Sequence, residues 1–250
     1  MNKKNLLAAL SLLAVTSTAQ IKAFTTMSVS FRAYDEAAGL TPYYSHYAVT
    51  RNENPDFWNG AGSAETVTII NLQDSGWGFN PLYRSSYHVE SVINGLSDEH
   101  SALRSIGWHQ YEFDFNTSTN LAEIFMDGTR IKSGSYSGPL NWFSFNMHGY
   151  GASESVIDDF SLKQDGFDVY SQSFDSASLS SSWIITRQDY GALVSSGDTT
   201  NPYNGLGALA LSGISGIVFD LNSVPEPSSL ILGGITLFGC CLRRNRKVFP

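Results

Sequence analysis

The sequence predicts an all-β fold, a jelly-roll sandwich of antiparallel sheets, and three observations carry that reading. Apolar and polar residues alternate in short runs through the middle of the chain, and clusters of Gly, Pro, Asn, Asp and Ser separate those runs. No stretch between the two ends keeps a helical period for more than about two turns. A period of two sends successive side chains to opposite faces, so each run can bury one face.

The chain opens differently. Lys3 and Lys4 precede an apolar run over 6–15, and small residues ending in Ser17, Thr18 and Ala19 follow it. Charge, apolar stretch and small-residue exit, in that order, are the parts of a secretory signal peptide, here assigned to residues 1–23. A run of ten residues reaches about 15 Å as a helix, half of the ~30 Å hydrocarbon core. Removal by signal peptidase after Ala19 or Ala23 is therefore expected.

Residues 24–165 are expected to form the sandwich. Met27, Val29, Phe31 and Ala33 alternate with Ser28, Ser30 and Arg32; Val67 and Ile69 alternate with Thr66 and Thr68. Tyr111, Phe113 and Phe115 alternate with Glu112 and Asp114; Phe143, Phe145 and Met147 alternate with Ser144, Asn146 and His148. Each reads as a strand with one buried face, and Asn116 to Asn120, Asp127-Gly128 and Ser137-Gly138-Pro139 supply the turns between. Beyond Lys163 the pattern restarts, with Trp183-Ile184-Ile185, then Gly205 to Leu211, then Ile217 to Leu221. Residues 166–222 are too few for a second sandwich. They are expected to complete or extend the first, because unpaired sheet edges invite aggregation.

The tail, residues 223–250, has three parts in a fixed order. Val224-Pro225-Glu226-Pro227 continues neither a strand nor a helix interior. Leu230 to Leu242 is apolar on all sides and suits lipid, as a short transmembrane helix. Arg243, Arg244, Arg246 and Lys247 then act as a membrane stop, because carrying such charges across a bilayer is costly. This arrangement resembles the PEP-CTERM sorting signal. The resemblance implies recognition of Pro225, Glu226 and Pro227 by an exosortase-type membrane protease, removal of the tail, and delivery to the cell surface or matrix of a Gram-negative, exopolysaccharide-making bacterium.

A second resemblance lies in the body. Gly107-Trp108-His109-Gln110-Tyr111-Glu112-Phe113-Asp114-Phe115, the run Leu121 to Met126 and the turn Asp127-Gly128 are similar to the middle of a concanavalin-like (laminin-G-like) jelly roll. Ser155 to Leu162 is similar to one of its late strands.

Composition excludes several functions. Residues 24–224 hold 22 acidic and 8 basic side chains, a body charge near −14, which repels nucleic acids and anionic polymers. No nucleic-acid partner is expected; neutral polysaccharide remains compatible. Cys240 and Cys241 both lie in the tail, so the body carries no disulfide and must be held by a packed core.

Catalytic patterns are not found in this reading. Glucanases of the resembled fold use Glu-x-Asp-x-x-Glu on one strand face, and the segment Glu154 to Asp159 has the wrong spacing. Gly134-Ser135-Tyr136-Ser137-Gly138 places tyrosine where a nucleophile elbow needs serine. His46, His88, His100, His109 and His148 form no pair at metal-ligand spacing. Asp158 is expected to share a buried face with Val156, Phe160 and Leu162. Its carboxylate then needs compensation by calcium, by backbone amides of a neighbouring loop, or by a bulge that turns it outward. Tyr43, Tyr44, Trp58 and Trp77 fall in or near loops, where rings can stack on sugar faces. The expectation is an exported, non-catalytic surface or matrix protein that binds carbohydrate. Its alternatives are a divergent polysaccharide-acting glycosidase and a purely structural or adhesive protein.

Overall fold

The computed structural model describes residues 24–35, 43–53, 66–73, 88–149, 154–189, 193–198, 202–203, 205 and 207–223. Among them the regular elements are all strands: β1 (Thr26–Asp35), β2 (Tyr43–Thr50), β3 (Thr66–Gln73), β4 (His88–Ile93), β5 (Leu96–Leu103), β6 (Gly107–Asn116), β7 (Leu121–Met126), β8 (Thr129–Ser135), β9 (Trp142–Gly149), β10 (Glu154–Gln164), β11 (Phe167–Gln172), β12 (Trp183–Asp189), β13 (Val194–Asp198), β14 (Ala208–Ser212) and β15 (Ile214–Asp220). They form two antiparallel sheets. The first runs β13-β14-β10-β1-β6-β7-β8, with β11 also on β10, and the second runs β12-β15-β9-β2-β3-β4-β5. The strands after residue 165 enter both sheets, β14 against β10 and β15 against β9.

Turn chemistry sets the hairpins. Asn94-Gly95, Asp127-Gly128 and Asp165-Gly166 each hold two successive residues at positive φ, between 49° and 80°. Such pairs match the right-handed twist of the strands they join, and a glycine at the second position avoids a Cβ clash. Asp165 has a further task. Its Oδ1 accepts bonds from the Thr25 amide at 2.8 Å, the Thr25 hydroxyl at 2.7 Å and the Thr26 amide at 2.9 Å, which fixes the start of β1. The Thr25 hydroxyl bond is the leading reason that its carboxyl sits below the usual range.

Aromatic rings join the sheets. From β1, Phe31 reaches Tyr47 at 5.0 Å and Phe145 at 4.9 Å on the facing sheet, and Tyr111 at 5.6 Å on its own. A second cluster sets Phe160 4.9 Å from Trp183 and 5.1 Å from Phe219. Offset and edge-on pairs of this kind add attraction beyond the area they bury. Tyr47 is fully enclosed, with its hydroxyl 3.3 Å from Ser155 Oγ, and burial pushes its pKa up to about 12. The expectation of one buried face fails for β3, where Thr66 and Thr68 are buried along with Val67 and Ile69, and in part for β9, where Ser144 is buried along with Phe143 and Phe145. Both strands are interior, β3 between β2 and β4 and β9 between β15 and β2.

The sequence reading also missed a buried ion pair. Arg104, in the segment between β5 and β6, donates from Nε to Asp35 Oδ2 at 2.9 Å and from Nη2 to Oδ1 at 2.7 Å. Both side chains are almost wholly enclosed. Removing one partner leaves the other charge buried, whereas removing both does not. Asp35→Ala is therefore expected to cost about 3–5 kcal/mol in urea denaturation, and the double replacement Asp35→Leu, Arg104→Met less than about 2 kcal/mol.

Candidate functional site

β10 does not alternate strictly. One residue, Phe31, separates Ser30 from Arg32 on β1, whereas two, Asp159 and Phe160, separate their partners Ser161 and Asp158 on β10. Asp159 takes up the extra length at a φ of 52°, the left-handed setting of a β-bulge that short polar residues tolerate. The alternation restarts with opposite sense. Ile157 pairs with Ala33, and Ser155 reaches Tyr47, so these two join Phe160 and Leu162 on the inner side. Asp158 shares the outer face of the first sheet with Val156. The expectation that it shares a face with Phe160 and Leu162 is thereby corrected.

Asp158 is nevertheless buried. Its Oδ1 accepts the Asp159 amide at 2.8 Å, and its Oδ2 accepts the Tyr203 amide at 3.1 Å. Backbone donors thus supply the compensation that a buried carboxylate requires. Among the described residues no group of three or more His, Cys, Asp or Glu side chains is arranged to hold a metal ion.

Tyr203 brings its ring with it. The Arg32 guanidinium lies 4.1 Å from the ring centroid, and Arg32 Nε stands 3.8 Å from Asp159 Oδ2. The Tyr203 ring meets Trp108 at 5.4 Å, and Trp108 meets Tyr34 across the β1-β6 pair at 5.6 Å. Three rings, a cation and a carboxylate therefore share one outward-facing patch. Tyr203 is exposed, while Tyr34, Trp108, Arg32 and Asp159 are half-buried.

His109, the neighbour of Trp108, points the other way. Its Nδ1 lies 2.7 Å from Asp127 Oδ2, and its Nε2 lies 2.8 Å from the Ser105 carbonyl and 3.1 Å from the Ser105 hydroxyl. The spacing is that of a serine, histidine and carboxylate set. Nδ1 against a carboxylate donates, so Nε2 accepts from the Ser105 hydroxyl in the neutral ring and donates to the Ser105 carbonyl only in the doubly protonated ring. The arrangement ties the strand to the Asp127-Gly128 turn, with the Gln110 amide donating to Asp127 Oδ1 at 2.9 Å.

Glu112 and Asp114 share the outer face of β6, and Glu123 stands across from Asp114 on β7. This is a Glu-x-Asp spacing closer to the glucanase pattern than Glu154 to Asp159, but Thr117 stands where that pattern has its second glutamate. Ser28 donates to Glu112 at 3.0 Å, and Arg130 pairs with Glu123 at 2.6 Å. Partial burial, ahead of the charges of Glu112 and Glu123, raises the Asp114 pKa.

Tyr43 and Tyr44 begin β2, and their side chains lie outside the described residues. So do Trp58, Trp77, the signal segment, Pro225, Glu226, Pro227, the apolar run after them, and Arg243, Arg244, Arg246 and Lys247. Among the described residues no helix is long and apolar enough to cross a membrane.

The family model described as the PEP-CTERM protein-sorting motif matches residues 223–247. The chain thus carries the sorting signal of exported proteins handled by an exosortase-type system. No curated protein matches the chain. Among solved structures, lectin II from Ulex europaeus is 11% identical over 78% of this chain and 72% of its own, with a TM-score of 0.31. The GH131 β-glucanase catalytic domain from Podospora anserina is 12% identical over 81% of this chain and 58% of its own, with a TM-score of 0.25. Likenesses at this level assign no activity to the chain.

The acidic row has a measurable consequence. With its pKa raised in the folded state, Asp114 binds a proton there between the unfolded and folded values, so its contribution falls as pH rises through that window. The penalty persists at neutral pH. Asp114→Asn is expected to raise the melting temperature by about 1–2 °C at pH 7 and to leave it unchanged at about pH 3, where the carboxyl is protonated in both states.

Proposed function

We propose that this chain is a non-catalytic protein of the cell surface or extracellular matrix whose sandwich binds neutral carbohydrate. Its location rests on one observation, the PEP-CTERM sorting motif at residues 223–247. The rest follows from the chemistry of the body. A charge near −14 over residues 24–224 disfavours anionic polymers, and uncharged glycans escape that repulsion. Aromatic side chains, which make up 13% of the chain, offer faces that attract the C–H patches of sugar rings.

The non-catalytic reading is supported by what the polar groups already do. Asp35 holds Arg104, Asp158 accepts two amides, Asp165 fixes the start of β1, and His109 bridges Ser105 and the Asp127 turn. The Glu-x-Asp pair on β6 lacks the second glutamate of the glucanase pattern, Thr117 standing there instead. A glycosidase acting through two carboxylates needs one held as acid and one as base or nucleophile.

Two measurements test this. In a Gram-negative host with an active exosortase-type system, the mature protein is expected at the cell surface or in the medium without Arg243 to Lys247. Replacing Pro225, Glu226 and Pro227 together with alanine is expected to hold it in the inner membrane at unprocessed mass; surface recovery at the unaltered level would contradict the sorting role. Incubated with cellulose, curdlan or starch, the purified body is expected to bind at least one without releasing reducing sugar. Release of oligosaccharide would make the protein an enzyme.

A further inference from the structure

We infer that the outer face of the first sheet around Tyr34, Trp108 and Tyr203 is the saccharide-binding platform, taking a neutral pyranose whose hydroxyls are read by Arg32 and Asp159. The inference rests on the carbohydrate reading above and names its site.

The bulge in β10 builds the site. By turning Asp158 outward, it gives the first sheet a buried acceptor on the face away from the core, and the Tyr203 amide docks there. The Tyr203 ring is then held from two sides, by Arg32 at 4.1 Å and by Trp108 at 5.4 Å. It remains 36% exposed, with its ring open to solvent. An aromatic ring fixed in place yet open to solvent loses little freedom when it takes up a ligand, which favours binding.

The chemistry around the rings selects the occupant. At the rim, a guanidinium donor and a carboxylate acceptor stand side by side in the Arg32–Asp159 pair. A pyranose needs that combination, since its hydroxyls both donate and accept while its C–H face seeks a ring. Arg32 stands here between two carboxylates, Asp158 and Asp159, on a body charged near −14, so an anionic polymer gains little here and is repelled at longer range. This separates the patch from Glu112, Asp114 and Glu123 on the same sheet, where acids crowd together.

The patch lay beyond the reach of the sequence. Tyr34, Trp108 and Tyr203 are far apart along the chain, and Tyr203 reaches the other two through an acceptor that simple alternation assigned to the core.

The test uses the mature-length protein on a panel of cellohexaose, laminarihexaose, maltohexaose and mannohexaose, with an alginate oligomer as the anionic control. Binding is followed by calorimetry and intrinsic fluorescence. Tyr203→Ala and Trp108→Ala are each expected to weaken binding of the recognised neutral oligomer about tenfold, while Tyr203→Phe keeps it. Trp108→Phe, which preserves an aromatic side chain, is expected to keep the melting temperature and to abolish the ligand-induced fluorescence change. If the unaltered protein binds a neutral oligomer and Tyr203→Ala and Trp108→Ala bind it equally well, the site is wrong while the carbohydrate reading stands. If the unaltered protein binds none of the panel, or binds alginate in preference, the carbohydrate reading fails and the site with it.

Discussion

One mismatch in length shapes the outer surface of this sandwich. β10 spends two residues where β1 spends one, opposite Phe31, and Asp159 takes up the excess in a left-handed conformation. Under unbroken alternation Asp158 would point between the sheets, on the side of Phe160, whose ring packs on Phe145 and Trp183 there. An ionised carboxylate in that setting lacks the donors it needs. With the bulge, the core stays apolar, and the same carboxylate becomes the anchor for Tyr203. One local irregularity therefore serves both the packing inside and the aromatic patch outside.

The core must be sufficient by itself. The body has no cysteine, since Cys240 and Cys241 both lie in the tail, yet its sorting motif directs it to a compartment where many proteins rely on disulfides. What replaces them is contact across the two sheets: Phe31 against Tyr47 and Phe145, Phe160 against Trp183 and Phe219. At the rim, Arg104 and Asp35 close the gap between the end of β1 and the start of β6. Not every group is stabilising. The row of Glu112, Asp114 and Glu123 concentrates like charge on one face, and Asp114 carries a raised pKa as a result of its partial burial beside them.

How much of this the sequence disclosed depends on the range of the interaction. Alternation in Met27 to Ala33 and in Tyr111 to Phe115 marked β1 and β6 correctly, because burial on one face writes a period of two into neighbouring residues. The Asp127-Gly128 turn was legible for the same local reason. Asn94-Gly95 and Asp165-Gly166 carry the same signature and were available to be read. β3 misled, since an interior strand buries threonines too, and alternation in polarity no longer reports alternation in exposure. Asp158 misled more instructively: a bulge is set by the pairing of two strands distant in sequence, and nothing in Ser155 to Leu162 alone announces it. Arg104 with Asp35, and Tyr203 with Trp108, are contacts of the same long-range kind. The tail was legible because its signal is linear, with proline, span and basic residues in series.

The most direct measurement of this account is amide hydrogen exchange at Tyr203 in the folded body, observed by NMR. Its N–H donates to a carboxylate held on the outer sheet face by the bulge, so exchange at least about 100-fold slower than in an unstructured peptide is expected, with protection lost in Asp158→Ala. Exchange at the unprotected rate in the unaltered protein would show that Asp158 does not hold this residue, and the outward-facing aromatic patch would have no anchor.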